Sequence, residues 1–496
     1  MYCKLKSYTM LGLEAEHIDV EVSVSPGLAR FDIIGLPDPS IREARERITQ
    51  SLSYAGYEVP PGNITVNLAP AELKKKGTML DLAIALGILL ASQQIKGHQR
   101  CLRLLIAGEL SLTGKLRPVT GAFNAALSAR ERNFNSILLP AINYKAVKYF
   151  TDIKKIPVNS LRDAVSYIEN GTANEYNVPA PAQSDNSHCP GYDYSQVYGN
   201  ELAKKAMQLA VIAKLNVLFI GPPGCGKSMI LRRLPGILPE LNEKQAVAVT
   251  KIYSAAGISC NGLLKQPPFR KVHSSVSQAA LIGGGSNPVP GEISMAHNGF
   301  LFLDELSEFP RRNIQSLRTP METGMVSVKR INFRTIFPAR FTLLSACNPC
   351  PCGYYGDEYK LCTCSRQKIR DYYNRISGPI LDRIELILYI NPVKEKHLFR
   401  KGEKSSAAMR TEIKPALDFL HNHPDYFSRS HITKLIDRCD FIKKIMKHAY
   451  RKGFISLRRL NIIVKTALAL SLLEGKQLQE EHIFDAIDLC RFKWEV

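Results

Sequence analysis

At 496 residues the chain is longer than one hydrophobic core usually serves, so two or three domains are expected. Its apolar share of 45% and charged share of 22% are those of a soluble globular protein. Lys and Arg number 66 against 45 Asp and Glu, and the resulting +21 favours polyanionic partners, nucleic acid ahead of the ribosome-associated or anionic-membrane proteins that share this signature.

The N-terminal MYCKLKSYTMLGLEAEHID has no continuous apolar core and no small-residue cleavage site, which argues against secretion. Residues 1–168 alternate strand-like runs (HIDVEVSV, RFDIIGL, NITVNLA, RLLIAGEL, SILLP) with helical patterns, which predicts an α/β domain. The longest apolar stretch, Leu80 to Ser92, contains Asp81 and is too short to cross a bilayer, so no membrane span is expected. Lys74, Lys75 and Lys76 form a basic run, read as a solvated face with nucleic-acid contact as the alternative. Residues 169–193, rich in Pro, Asn and Ser, read as a linker. Helices and strands alternate again over 194–392, and 393–496 reads as almost wholly helical. Twelve cysteines, several isolated in apolar segments, suit a reducing cytosol better than a disulfide framework.

The chemistry concentrates after residue 215. The apolar run Asn216 to Ile220 precedes Gly221, Pro222, Pro223, Gly224, Cys225, Gly226, Lys227 and Ser228, with the spacing of a phosphate-binding loop. The glycines open backbone angles closed to other residues, so that successive N–H groups turn towards phosphates. Lys227 is placed to reach the β- and γ-phosphates of ATP and Ser228 to ligate Mg²⁺; a glycine-rich turn with an incidental lysine is the alternative. A second strand-like run, Phe300 to Leu303, ends in Asp304 and Glu305, the form of an element that holds Mg²⁺ (Asp304) and polarises the attacking water (Glu305). A third, Phe341 to Ala346, leads to Asn348, either a water-positioning group or a turn-forming Asn-Pro. Between Glu322 and Arg340 the pattern predicts a hairpin with Lys329, Arg330, Phe333 and Arg334 near its turn. Cys350, Cys352, Cys362 and Cys364 form C-x-C…C-x-C, a set able to hold tetrahedral zinc in a structural role; incidental doublets or redox thiols are the alternatives.

The runs SVSQAALIGGGSNPVPGEISMAHNGFLFLDELSEFPR, FPARFTLLSACNPCPCGYYGD and ISGPILDRIEL strongly resemble the magnesium-chelatase-like AAA+ family typified by YifB and the competence protein ComM, and the likeness runs the length of the chain. The resemblance implies an N-terminal Lon-protease-like α/β domain, an AAA+ P-loop NTPase core and a C-terminal helical lid, assembled as a ring of six. It places Arg383 as the arginine finger for a neighbouring subunit, Asn348 as sensor 1, and Arg458, with Arg459 beside it, as the lid arginine known as sensor 2. Tyr198, in Val197-Tyr198-Gly199, falls where the family contacts adenine.

In the Lon-like stretch the serine and lysine of an active peptidase are replaced by Met79 and Ala125, so a binding or ring-stiffening role is expected there. The resemblance also sends the hairpin into the central pore, where Lys329, Arg330 and Arg334 would hold phosphates. A loop near Gly283-Gly284-Gly285-Ser286 would be a second pore element. The leading reading is a cytoplasmic, ATP- and Mg²⁺-dependent motor on single-stranded or branched DNA, acting by branch migration in recombination during natural transformation. A metal-chelatase-type subunit and a non-motor scaffold are the rivals.

Overall fold

Strict alternation builds the first sheet: in Asn63–Ala69 the residues Ile64, Val66 and Leu68 are buried while their neighbours are half-exposed. The structure, a computed structural model, describes residues 1–172, 192–285, 288–330, 333–376, 378–393, 404–451 and 457–490. These form two units. One comprises residues 1–184 together with 242–265 and 287–290; the other comprises the rest. Most of the expected 169–193 linker lies outside the described residues.

The first unit holds a seven-stranded mixed sheet. Its strands are β1 (Tyr2–Leu11), β2 (Glu14–Ser25), β3 (Arg30–Ile34), β4 (Asn63–Ala69), β5 (Leu104–Ile106), β6 (Ser136–Pro140) and β7 (Lys154–Val158), in the order β3-β4-β2-β1-β5-β6-β7. Strand β1 is absent from the sequence expectation because its buried positions include polar Ser7 and Thr9. Both hydroxyls are satisfied, Ser7 by the carbonyl of Ile106 at 2.7 Å and Thr9 by that of Lys76 at 3.0 Å. The helix Asp81–Ala91 is buried along nearly its whole length, and its Asp81 carboxylate accepts from Arg47 at 2.9 and 3.2 Å. The helix Ala122–Glu131 packs on the other side of the core.

The Lys74–Lys76 run is not one solvated face: Lys75 is buried, its ammonium donating to the carbonyl of Pro70, and Lys74 is the exposed member. Its neighbours include the backbone of a turn, and a buried ammonium must find such an acceptor. Met79 and Ala125 are both buried in an apolar cluster with Phe123, Leu139 and Phe150.

The segment 242–265, which lies in sequence between the phosphate loop and Asp304, packs into this first unit. Its helix Glu243–Ala255 begins with a reciprocal cap between Asn242 and Gln245. Asn124 Nδ2 donates to the carbonyls of Leu13 (2.7 Å) and Lys251 (3.0 Å), Lys251 pairs with Glu14 at 2.7 Å, and Val247 and Leu263 join the apolar cluster.

The second unit holds a five-stranded, all-parallel sheet formed by β8 (Val217–Ile220), β9 (Phe269–Val272), β10 (Phe300–Leu303), β13 (Thr342–Cys347) and β14 (Leu386–Tyr389), in the order β9-β10-β13-β8-β14. Strands β8, β10 and β13 are buried throughout, as a sheet covered on both faces requires. The hairpin expected between Glu322 and Arg340 is present as β11 (Met325–Arg330) and β12 (Phe333–Pro338), antiparallel with Lys329 opposite Arg334; residues 331–332 lie outside the described residues, and Lys329 is exposed. Gly283–Gly284 is a short extended segment, and Ser286 lies outside the described residues. The C-terminal helices Ser406–Asn422, Arg429–Arg438, Leu457–Glu474 and Glu480–Cys490 share one apolar core with this sheet and with the helix Glu201–Ala213.

Candidate functional site

The site forms where the parallel strands end. In parallel sheets the loops leaving the carboxyl ends of the strands carry the ligand groups, and β8, β10 and β13 deliver the phosphate loop, Asp304-Glu305 and Asn348 to one edge. Gly224 and Gly226 have φ of +81° and +92°, the left-handed region in which a side chain is strained. Gly221 is needed for a different reason: a Cβ there would lie 2.3 Å from the carbonyl oxygen of Ile390.

Lys227 opens the helix Lys227–Arg232 and is buried. Its ammonium donates to the carbonyls of Gly221 (2.6 Å) and Pro222 (2.8 Å) and to Asn348 Oδ1 (3.2 Å). A lysine held in this way sits inside the loop and can exchange carbonyl acceptors for phosphate oxygens. Ser228 Oγ donates to Asp304 Oδ1 at 2.6 Å, so the hydroxyl and carboxylate suited to one Mg²⁺ are already adjacent. The second Asp304 oxygen accepts from Arg232 at 3.2 Å. Glu305 is exposed and holds φ of +53°, an unfavourable conformation for a non-glycine residue, next to the group that the sequence assigns to catalysis. These donors and acceptors fit a Mg²⁺-bound triphosphate.

Arg233 ties the preceding segment to the same helix: it donates to the carbonyl of Asp193 at 2.9 Å and to Gln196 Oε1 at 2.6 Å, while Tyr194 OH donates to the Ile230 carbonyl at 3.0 Å. Tyr198, partly exposed, follows two residues later. The sequence reading passed over Arg232 and Arg233, although the RR doublet six residues past Gly226 was the visible signal.

Arg383 and Arg458 are not at this edge. Asn216, which precedes β8, donates through Nδ2 to the Arg383 carbonyl at 2.9 Å, and Val217 pairs with Leu386. Arg383 therefore lies at the amino end of the strands, about 13 Å of strand away from the phosphate loop in its own chain. It is buried, its guanidinium pairs with Glu322, its Nε has no hydrogen-bond partner among the described residues, and burial lowers its pKa with Arg458 and Arg318 adding to the effect. Arg458 approaches Glu322 at 3.9 Å with its side chain half-exposed. Arg459 is committed elsewhere, donating to the carbonyls of Ile384 (2.8 Å), Leu381 (3.1 Å) and Glu385 (3.3 Å). Of the two adjacent arginines, Arg458 is the one that faces a cavity, lined also by Glu322, Arg429 and Lys465.

The four cysteines gather as the spacing predicts. Their sulfur atoms all lie within 4.8 Å of one another, with Cys350–Cys352 at 3.3 Å, Cys352–Cys362 at 3.5 Å and Cys350–Cys362 at 3.6 Å. Tetrahedral zinc with Zn–S near 2.3 Å needs sulfurs about 3.8 Å apart, so the cluster fits with small adjustments. Burial pushes Cys350 up to about 12, while for Cys352 backbone N–H groups of Tyr354 and Thr363 outweigh burial and bring it down to about 5.

The family described as "Magnesium chelatase, subunit ChlI" matches residues 193–398, and that described as "Subunit ChlI of Mg-chelatase" matches residues 20–143. Competence protein ComM of Haemophilus influenzae is 34% identical over 496 residues, covering 97% of this chain and 96% of its own length. The chain belongs to the YifB/ComM family of magnesium-chelatase-like AAA+ ATPases. YifB of Escherichia coli K12, itself uncharacterized, is 40% identical over 411 residues, 82% of this chain and 79% of its own. The magnesium-chelatase 38 kDa subunit of Rhodobacter capsulatus is more distant, 26% identical over 187 residues and 34% of this chain. Membership implies an ATPase that uses ATP and Mg²⁺. Among the described residues no helix is long and apolar enough to cross a membrane.

Proposed function

We propose that this family member is a cytoplasmic ATPase ring, a hexamer, that moves on single-stranded or branched DNA and drives branch migration in homologous recombination during natural transformation. One observation carries the ring: Arg383 and Arg458 both approach the Glu322 carboxylate, and Arg318 lies near enough to Arg383 to lower its pKa, away from the phosphate loop at the opposite end of the strands. A finger at that edge cannot serve its own site, whereas a neighbouring subunit can bring its phosphates to this excess of positive charge.

In the cycle so proposed, Lys227 would exchange the loop carbonyls for the β- and γ-phosphates, and Ser228 and Asp304 would hold a Mg²⁺ that supplies charge neutralisation for phosphoryl transfer. Glu305 polarises the water. Asn348, already bonded to Lys227, orients it. Tyr198 contacts adenine, the C-terminal helices act as the lid, and the Lon-like N-terminal domain binds or stiffens without peptidase chemistry. A structural Zn²⁺ occupies the four cysteines.

DNA is favoured by the +21 charge and by a hairpin carrying Lys329, Arg330 and Arg334. It is favoured also by the near full-length match to a competence protein, whereas the chelatase subunit aligns with only 34% of the chain. The test is the ATPase rate with and without single-stranded and branched DNA. Stimulation that weakens steeply with salt, and whose salt slope flattens when all three hairpin residues become alanine, supports the motor. Hydrolysis indifferent to every DNA form returns the chelatase and scaffold readings.

A further inference from the structure

The cysteine cluster is built against the phosphate loop. Gly353 follows Cys352 directly, and a Cβ on it would lie 2.7 Å from Cδ and 2.8 Å from Cγ of Pro223, in the middle of the loop. Its φ of +90° already excludes a relaxed side chain. Two further ties hold the cysteine segment, one to the sheet edge and one to the helix Arg366–Asn374. Tyr389, the last residue of β14 and paired with Ile220, donates through its hydroxyl to the carbonyl of Tyr355 at 3.2 Å. Tyr373 OH donates to the carbonyl of Pro349, one residue from Asn348 and so from the bond to Lys227. The segment thus touches the loop at Pro223 and the strand beside it at Tyr389, and it follows Asn348, the Lys227 partner, directly in the chain.

What holds the segment in shape is less evident. Between Cys352 and Cys362 the chain runs through GYYGDEYKL, and Glu358 to Leu361 are exposed. An exposed loop of this kind has little apolar burial to order it. Beyond the bond from Tyr389 to Tyr355 and the turn in which Asp357 accepts from the N–H groups of Tyr359 and Lys360, the four sulfurs at its two ends are a further fastening.

We infer that a thiolate-bound Zn²⁺ at Cys350, Cys352, Cys362 and Cys364 acts as a strut for the phosphate-binding loop, so that metal occupancy sets ATP affinity. The inference rests on the zinc and nucleotide readings above and adds the link between them. Metal closes the two C-x-C pairs into one rigid knuckle, the knuckle holds Gly353 against Pro223, and the loop keeps the geometry in which its N–H groups face phosphate. Without metal the loop must be ordered by the nucleotide itself, at a cost in affinity.

The experiment uses the full chain. Metal content is measured first, with about one Zn²⁺ per chain expected, and Co²⁺ substitution should give thiolate-to-metal charge-transfer absorption. A fluorescent ATP analogue is then titrated against the loaded protein, the chelated protein and the chelated protein with Zn²⁺ restored. Removal should weaken binding about tenfold or more, and restoration should recover it. Gly353→Ala provides a variant that leaves every thiol in place: it should keep its metal and still lose nucleotide affinity.

The outcomes separate cleanly. Protein with neither zinc nor a cobalt charge-transfer band, or with the thiols oxidised in pairs, overturns the zinc reading and the strut with it. Metal that can be removed with no change in affinity overturns the strut alone, as does affinity that Zn²⁺ fails to restore. Loaded wild-type protein that binds no ATP overturns the nucleotide reading instead.

Discussion

The two sheets of this protein end differently. At the carboxyl edge of the parallel sheet, Lys227 is bonded to Asn348 and Ser228 to Asp304. In the first unit, Met79 and Ala125, which the proposed Lon-like reading sets where a peptidase would carry serine and lysine, are buried with Phe123 and Phe150. Polar groups survive burial where each finds a partner, and a site without such partners is better filled with methyl groups. One unit gathers paired polar groups, and the other an apolar cluster.

Lys227→Ala tests that contrast most severely. It removes the ammonium that the loop carbonyls hold, and nucleotide binding by titration should become undetectable. Glu305→Gln should instead retain binding and lose turnover about 10³-fold. Wild-type hydrolysis in that variant would strip Glu305 of its role and leave the contrast resting on binding alone.

Arg383→Ala probes whether the chemistry of the second unit is complete in one chain. Turnover should fall about 10³-fold with nucleotide affinity unchanged. Mixed with Glu305→Gln, it should recover activity at interfaces that pair one intact finger with one intact carboxylate. Verified mixed rings that stay inactive would place the finger in its own chain, against the separation along β8 and β14.

The reverse experiment restores side chains to the first unit. Met79→Ser with Ala125→Lys should produce no peptidase activity, because an ammonium at position 125 meets an apolar cluster. The double variant should lose about 3 kcal/mol of stability in denaturant titration. Peptide cleavage would show that only two side chains separate the units.

The smallest effect belongs to Glu305→Gly. It relieves the backbone at φ of +53° while deleting the carboxylate, and should raise stability by about 1 kcal/mol as hydrolysis disappears. No gain in unfolding midpoint would mean that the surrounding turn bears no strain.

The phosphate loop, the Asp304-Glu305 strand end and the cysteine quartet are readable from sequence because each is a local device. Positive φ demands glycine at 224 and 226, a buried parallel strand demands an unbroken apolar run, and two C-x-C pairs bring sulfurs close over few residues. Contacts distant in sequence had no such signature. The choice between Arg458 and Arg459 depended on which guanidinium found the carbonyls of Leu381 and Ile384, and the fate of Lys75 on a turn five residues back. That Glu243–Ala255 joins the first unit follows from Asn124, Glu14 and an apolar cluster more than a hundred residues away. The bond from Lys227 to Asn348 and the seat of Gly353 on Pro223 were likewise decided by the sheet, which sets β8 beside β13. Sequence determined which backbones turn and which side chains carry charge or sulfur, since those are properties of neighbours along the chain. Tertiary structure alone decided which of them meet.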